Sequence, residues 1–322
     1  MVINEVLVAA YIYLICSVIL TIVALIGNTW TCYIFTRKKF RKVSVFFYLA
    51  VSNIANLLLI LTVWPASLFS DQFKLRSLSF SCKFIPFITF FLSDLGPSML
   101  LLSSLDRLAS VRFSRKLQFR NKFKYQLLIV LVVTILLVIL NIPFLIALDL
   151  VPFEYKNVTY VFCAIHLVDF FPMSNYMLIK TSLFSLFLPF FVMVLSTILI
   201  AYHLIKHKRK FNSSRTKFDK EVRYIRVVLS VDLFYFITNS PALLKGLVYV
   251  FTGINYINVW LTVALNLLLE VYLSADFFLY YWCNRLFRDH VKKIFQKIKK
   301  NKKQLCNKTK KKFIVSSATK HT

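Results

Sequence analysis

The chain has 322 residues, 58 % of them hydrophobic, with 33 Phe against only 4 Gly and a mean hydropathy of +0.68. A water-soluble domain cannot hide so much apolar surface, so composition excludes a soluble enzyme and assigns the chain to a bilayer. The net charge of +28 does not call for a nucleic acid, because 35 of the 41 Lys and Arg fall in four clusters at 37–42, 107–124, 206–226 and 285–320.

Seven apolar stretches exceed the ~20 residues that a bilayer core requires. In chain order they run near 6–36, 44–70, 80–110, 126–149, 176–205, 223–252 and 257–283. The first is too long for a signal peptide and is expected to be an uncleaved span after a short extracellular N-terminus of residues 1–5. Hydrocarbon offers no hydrogen bonds to open backbone, so these spans are expected to be helices. The fold class is therefore all-α, a seven-transmembrane helix bundle. The four basic clusters fall on one side, which by the positive-inside rule puts them and the C-terminus in the cytoplasm, facing the anionic inner leaflet. After span seven, Phe287, Val291, Ile294, Phe295 and Ile298 alternate with basic residues. This pattern predicts a short amphipathic membrane-surface helix over 284–300, followed by a basic cytoplasmic tail over 301–322.

Topology divides the cysteines. Cys82 opens the third span and Cys163 lies in the loop between spans four and five, both on the oxidising side, and they are expected to bridge. The same loop carries Asn157-Val158-Thr159, a glycosylation acceptor. Cys283 and Cys306 fall beyond the last span on the reducing side. His203 and His207 stand among basic residues at the end of span five and do not read as a metal site. No phosphate loop, nucleophile elbow or cofactor motif is present, so the chain is not read as an enzyme.

The third span ends in Asp106-Arg107-Leu108, 25 residues after Cys82, a separation of ~37 Å along a helix. With Gly27-Asn28, Leu49-Ala50-Val51-Ser52-Asn53, Pro189, Pro241 and Ser274-Ala275-Asp276-Phe277-Phe278-Leu279-Tyr280, this resembles a rhodopsin-like G-protein-coupled receptor. The match covers spans one to seven and the surface helix opened by Phe287-Arg288. Departures mark a divergent member: span four lacks the usual Trp, Asn239 replaces the aromatic two residues before Pro241, and Thr197 replaces a Tyr eight residues after Pro189. The seventh-span stretch looks most like invertebrate neuropeptide receptors of the FMRFamide-receptor-like group.

The resemblance implies an extracellular ligand, a heterotrimeric G protein and a plasma-membrane location. It implies a latch in which Arg107, held by Asp106, pairs with Glu221 at the same depth on span six and is released as that span swings outward. Its alternative is an Arg107 that snorkels to headgroups. The resemblance also implies a mid-membrane polar network of Asn28, Asn53, Asp276 and Tyr280, linked in the family to water and sodium. Here the acid and amide have exchanged spans, and Gly96 replaces a hydroxyl that commonly completes the sodium site. Asp94 and Asp232 are further acids inside spans, each a functional candidate by default. Asp94 is expected to meet Ser93, Ser98 or water, and both acids have the alternative of being protonated and satisfied by hydroxyls. Pocket candidates are Thr89, Phe90 and Ser93 on span three, Lys180 on span five, Asn239 and Lys245 on span six, and Asn266 and Glu270 on span seven. Thr89 occupies the position of the amine receptors' Asp, so a monoamine lacks its usual counter-ion, with Glu270 the acid that could substitute, and a peptide is favoured. A small-molecule chemosensory receptor and a transporter are the alternatives. Asp149, Glu154 and Asp169 are the acids available to a basic peptide.

Overall fold

The computed structural model describes residues 2–37, 40, 43–69, 79–112, 123–155, 158–165, 173, 176, 179–208, 215–252, 258–297, 299–300 and 304. Among the described residues there are seven long helices: α1 (Val2–Phe35), α2 (Ser44–Phe69), α3 (Ser79–Arg112), α4 (Phe123–Ala147), α5 (180–208), α6 (Arg215–Thr252) and α7 (Val259–Cys283). Five of them, α1, α2, α3, α4 and α7, are long and apolar enough to cross a membrane over their described residues. Lipid-facing positions are evident as exposed large side chains, for example Ile15, Ile19 and Ile26 on α1 and Leu131, Ile135 and Ile139 on α4. Apolar residues turned outward in this number suit a hydrocarbon surround and no other.

Prolines lie inside α3 (Pro86, Pro97), α4 (Pro143) and α6 (Pro241). Neighbouring helices in a bundle tolerate them where water could not repair the broken ladder. Helix α5 is more unusual: Lys180–Phe187 is a π-helix, and Leu188 closes it by donating its N–H to the Leu183 carbonyl, five residues back. Pro189 follows at once and has no N–H to give the Ser185 carbonyl, which leaves the preceding turn free to widen.

Between α4 and α5 the loop contains an antiparallel hairpin, β1 (Leu148–Tyr155) with β2 (Val158–Ile165), in the register Leu150 opposite Cys163. It is an addition to the expected all-α bundle. At the other end Asn284 breaks α7, its N–H donating to the Tyr280 carbonyl, and its side chain accepts from the Phe287 N–H to start a further helix, α8, over residues 285–297. Cys283 therefore closes α7, where its thiol meets Ser230, and Cys306 lies outside the described residues. Phe287 and Val291 of α8 are buried against Phe35, Phe40, Phe46 and Tyr280, while Arg285, Lys292, Lys293 and Lys297 are exposed. Gly27 permits the close α1–α7 approach: a Cβ there would stand 3.1 Å from the Cβ of Phe277.

Candidate functional site

Cys82 and Cys163 form a disulfide that ties the β hairpin to the start of α3. Below it, a cavity of about 560 Å³ opens between α1, α2, α3, α5, α6 and α7. Helical spacing decides what faces it. From α3 come Thr89, Phe90, Ser93 and Asp94; from α6 come Tyr235, Asn239 and Ala242; from α7 come Asn266, Leu269, Glu270 and Leu273, positions three and four apart on one stripe. Six of the eight pocket candidates thus share one cavity. Tyr13 and Ser17 of α1 each donate to Glu270 Oε1 at 2.8 Å, so this carboxylate is fixed from the neighbouring helix. Asn239 folds back onto its own helix, donating to the Tyr235 carbonyl at 2.9 Å.

The two lysine candidates are placed differently. Lys180 does not line the cavity. Its ammonium is buried 2.6 Å from Asp94 and donates to Asn141 Oδ1 at 2.8 Å, and Asn141 in turn donates to Asp94 at 3.0 Å. Three helices meet in this triangle, α3, α4 and α5. The rings of Phe90 and Phe144 stack 4.2 Å apart beside it, with the ammonium 5.4 Å and 5.0 Å from their centroids. Asp94 is therefore engaged by a cation and an amide, and the Ser98 hydroxyl donates to the Asp94 main-chain carbonyl. In so dry a setting the mutual attraction of the pair offsets a desolvation cost of several kcal/mol per ion. Lys245 donates to Thr262 Oγ1 at 2.8 Å, tying α6 to α7 two turns above Glu270.

Beneath the cavity lies the polar network, with one correction. The amide that meets Asp276 belongs to Asn56, whose Nδ2 is 3.0 Å from Asp276 Oδ2. Asn53, one turn along α2, instead donates to the Leu49 carbonyl at 2.6 Å and to the Tyr280 hydroxyl at 3.3 Å. Asn28 donates to the Leu273 carbonyl at 3.0 Å. Gly96 accounts for the shift, since a Cβ at that position would stand 3.1 Å from Asn56 Oδ1. The space that a hydroxyl side chain would need is taken by this amide. Gly96 brings no hydroxyl to this network.

At the opposite end of α3, Arg107 and Asp106 are buried, with Arg107 Nη2 3.7 Å from Asp106 Oδ2 and side-chain exposures of 6 % and 2 %. A side chain so enclosed is turned into the bundle and does not snorkel. Ser44, the first residue of α2, donates its hydroxyl to Asp106, which anchors the pair to a second helix. Glu221 lies on α6, but its side chain is outside the described residues. A tie between α3 and α6 is described one turn above Arg107, where Ser104 Oγ donates to Asp232 Oδ2 at 3.0 Å; both residues are buried.

Asn157 and Asp169 lie outside the described residues, and the side chain of Glu154 is likewise not described. Asp149 pairs with Lys83 at 3.3 Å, both half-buried. Sequence reasoning missed Asn141, Asn56, Tyr13 and Ser17. Asn141 had a signal: it is the lone amide in the otherwise apolar second half of α4, and a buried polar group in a span demands a partner.

The profile of the family described as 7 transmembrane receptor (rhodopsin family) matches residues 27–283 of this chain. No curated protein matches it.

Proposed function

Since the chain belongs to the rhodopsin family of seven-transmembrane receptors, and is thus a multi-pass membrane protein, we propose that it converts binding of an extracellular neuropeptide into activation of a heterotrimeric G protein. The observation that carries this reading is the pairing of two sites on α3. The cavity takes Thr89, Phe90, Ser93 and Asp94 near one end of the helix, and the buried Asp106-Arg107 pair stands near the other. Thr89 and Arg107 are 18 positions apart, ~27 Å along a single helix.

The disulfide end is extracellular in this reading and the basic end faces the cytoplasm, as the Lys and Arg distribution requires. Ligand binding biases α6 outward. That motion breaks Ser104–Asp232 and the Arg107–Glu221 latch proposed beneath it, and it opens a G-protein cavity. A peptide ligand is supported by the resemblance of the seventh-span stretch and by Thr89 in place of an amine counter-ion. The small-molecule reading is favoured by one observation: a cavity of about 560 Å³ lies within the ~300–1,000 Å³ range of small-ligand sites.

A calcium assay with a chimeric Gα subunit, run against an invertebrate peptide panel, separates the readings. A response to amidated Arg-Phe peptides is expected. Silence to every peptide with a robust response to amines or odorants would move the assignment to the chemosensory alternative.

A further inference from the structure

We propose that the cavity captures its ligand through a cationic group, an ammonium or guanidinium, seated on Oε2 of Glu270. The proposal deepens the receptor reading above and rests on it for the existence of a ligand.

Charge is the first ground. Two carboxylates, Asp94 and Glu270, belong to the cavity wall. Asp94 is answered by the Lys180 ammonium 2.6 Å away. Glu270 has no Lys, Arg or His paired with it among the described residues, and Lys245, the cation farther up the same side of the bundle, is engaged by Thr262. Among the described residues the wall therefore carries one carboxylate without a cation in a low-dielectric bundle, where an isolated carboxylate is costly.

Geometry is the second ground. Tyr13 and Ser17 are four apart on α1 and therefore share a face; both donate to Oε1, which fixes the plane of the carboxylate. Oε2 is buried and receives no hydrogen bond from the described residues. An oxygen held in place by two donors on its twin and itself unpaired suits a donor that a ligand brings as it displaces the side chains covering that oxygen. The adjoining wall is apolar at Leu59, Ile60 and Leu269, so the cation should be carried on an apolar body. A neutral ligand of the same shape would leave Oε2 unmatched, and the site discriminates against it for that reason. Tyr13 and Ser17 are positioning residues: they aim the carboxylate.

The test needs no knowledge of the natural ligand. Full-length receptor in lipid nanodiscs is titrated with phenethylguanidinium and with its uncharged isostere phenethylurea, and thermal unfolding is followed. The guanidinium should raise Tm in a saturable way and the urea should not. Glu270→Gln should weaken guanidinium binding roughly 10- to 100-fold while its unliganded Tm shows a folded protein, as expected for losing a hydrogen bond to a charged group. Tyr13→Phe, a milder change, should weaken it several-fold. Equal shifts with both probes, no shift with the guanidinium at millimolar concentration, or an unchanged titration in Glu270→Gln would each overturn the proposal. Nucleotide exchange by a G protein, read in the same discs, separates the two claims. Charge-dependent binding without exchange from any Gα subunit sinks the receptor coupling alone, whereas peptide-driven exchange indifferent to Glu270→Gln sinks the cation site alone.

Discussion

Lys180 illustrates how a residue's chemistry follows from its neighbours. By type and depth it is a candidate ligand contact, yet its ammonium is enclosed by Asp94, Asn141 and two phenyl rings. Removing one member of such a pair strands the other, so Lys180→Ala is expected to destabilise the receptor by about 3–5 kcal/mol. The double substitution Asp94→Asn, Lys180→Met should recover most of that loss, because neither variant then buries a lone charge. Thermal unfolding of the three detergent-solubilised proteins checks both statements; equal stability of Lys180→Ala and the parent would show the pair to be unimportant. Gly96 makes a parallel point, since the 3.1 Å from its missing Cβ to Asn56 Oδ1 means that Gly96→Val should push Asn56 off Asp276 and lower Tm. Gly96→Ala should be tolerated better, having only one atom to accommodate.

At the scale of the element, the spans were legible because a bilayer demands long apolar runs and leaves little freedom in reading them. The π-turn at Lys180–Phe187 was not legible, since an i+5 ladder leaves no periodicity of its own over 8 residues, although Pro189 is its visible cause. The β1–β2 hairpin was also missed: Leu148–Tyr155 and Val158–Ile165 continue the hydrophobic character of α4 without polar alternation to mark them as strands. The disulfide was readable because topology left only Cys82 and Cys163 on the oxidising side. Its loss by Cys82→Ser should free the hairpin from α3 and reduce surface expression of the receptor, measured by labelling intact cells. Undiminished surface expression would argue that the hairpin docks without its tether. Polar pairings between helices lie beyond sequence reading for a simple reason. Asp94 and Lys180 are 86 positions apart, and Asn53 and Asn56 share one helix and one residue type, so only packing selects between them.

Helix α6 links element to molecule. Its described hydrogen bond to α3 is Ser104–Asp232, between buried residues, and the outward movement proposed for α6 must break it. Asp232→Leu removes the acceptor and replaces it with an apolar group that costs nothing to bury, so basal signalling should rise while folding is preserved. The rise should be several-fold, because one hydrogen bond of about 1 kcal/mol corresponds to a factor near 5 in the balance of resting and active states. Asp232→Asn, which keeps an acceptor for Ser104, should change basal signalling far less.

The whole molecule is a bundle with a cavity at its disulfide end and a buried Arg107-Asp106 pair at its basic end, joined by α3, and the proposed function makes the first a ligand site and α6 the gate. Basal nucleotide exchange tests that arrangement without any ligand. Asp232→Leu receptor in vesicles, presented with a panel of heterotrimeric G proteins, should accelerate exchange above empty vesicles for at least one Gα subunit, and adding Arg107→Ala should return the rate to background. Exchange that stays at the empty-vesicle rate across the panel, or that rises and persists without Arg107, would contradict the account.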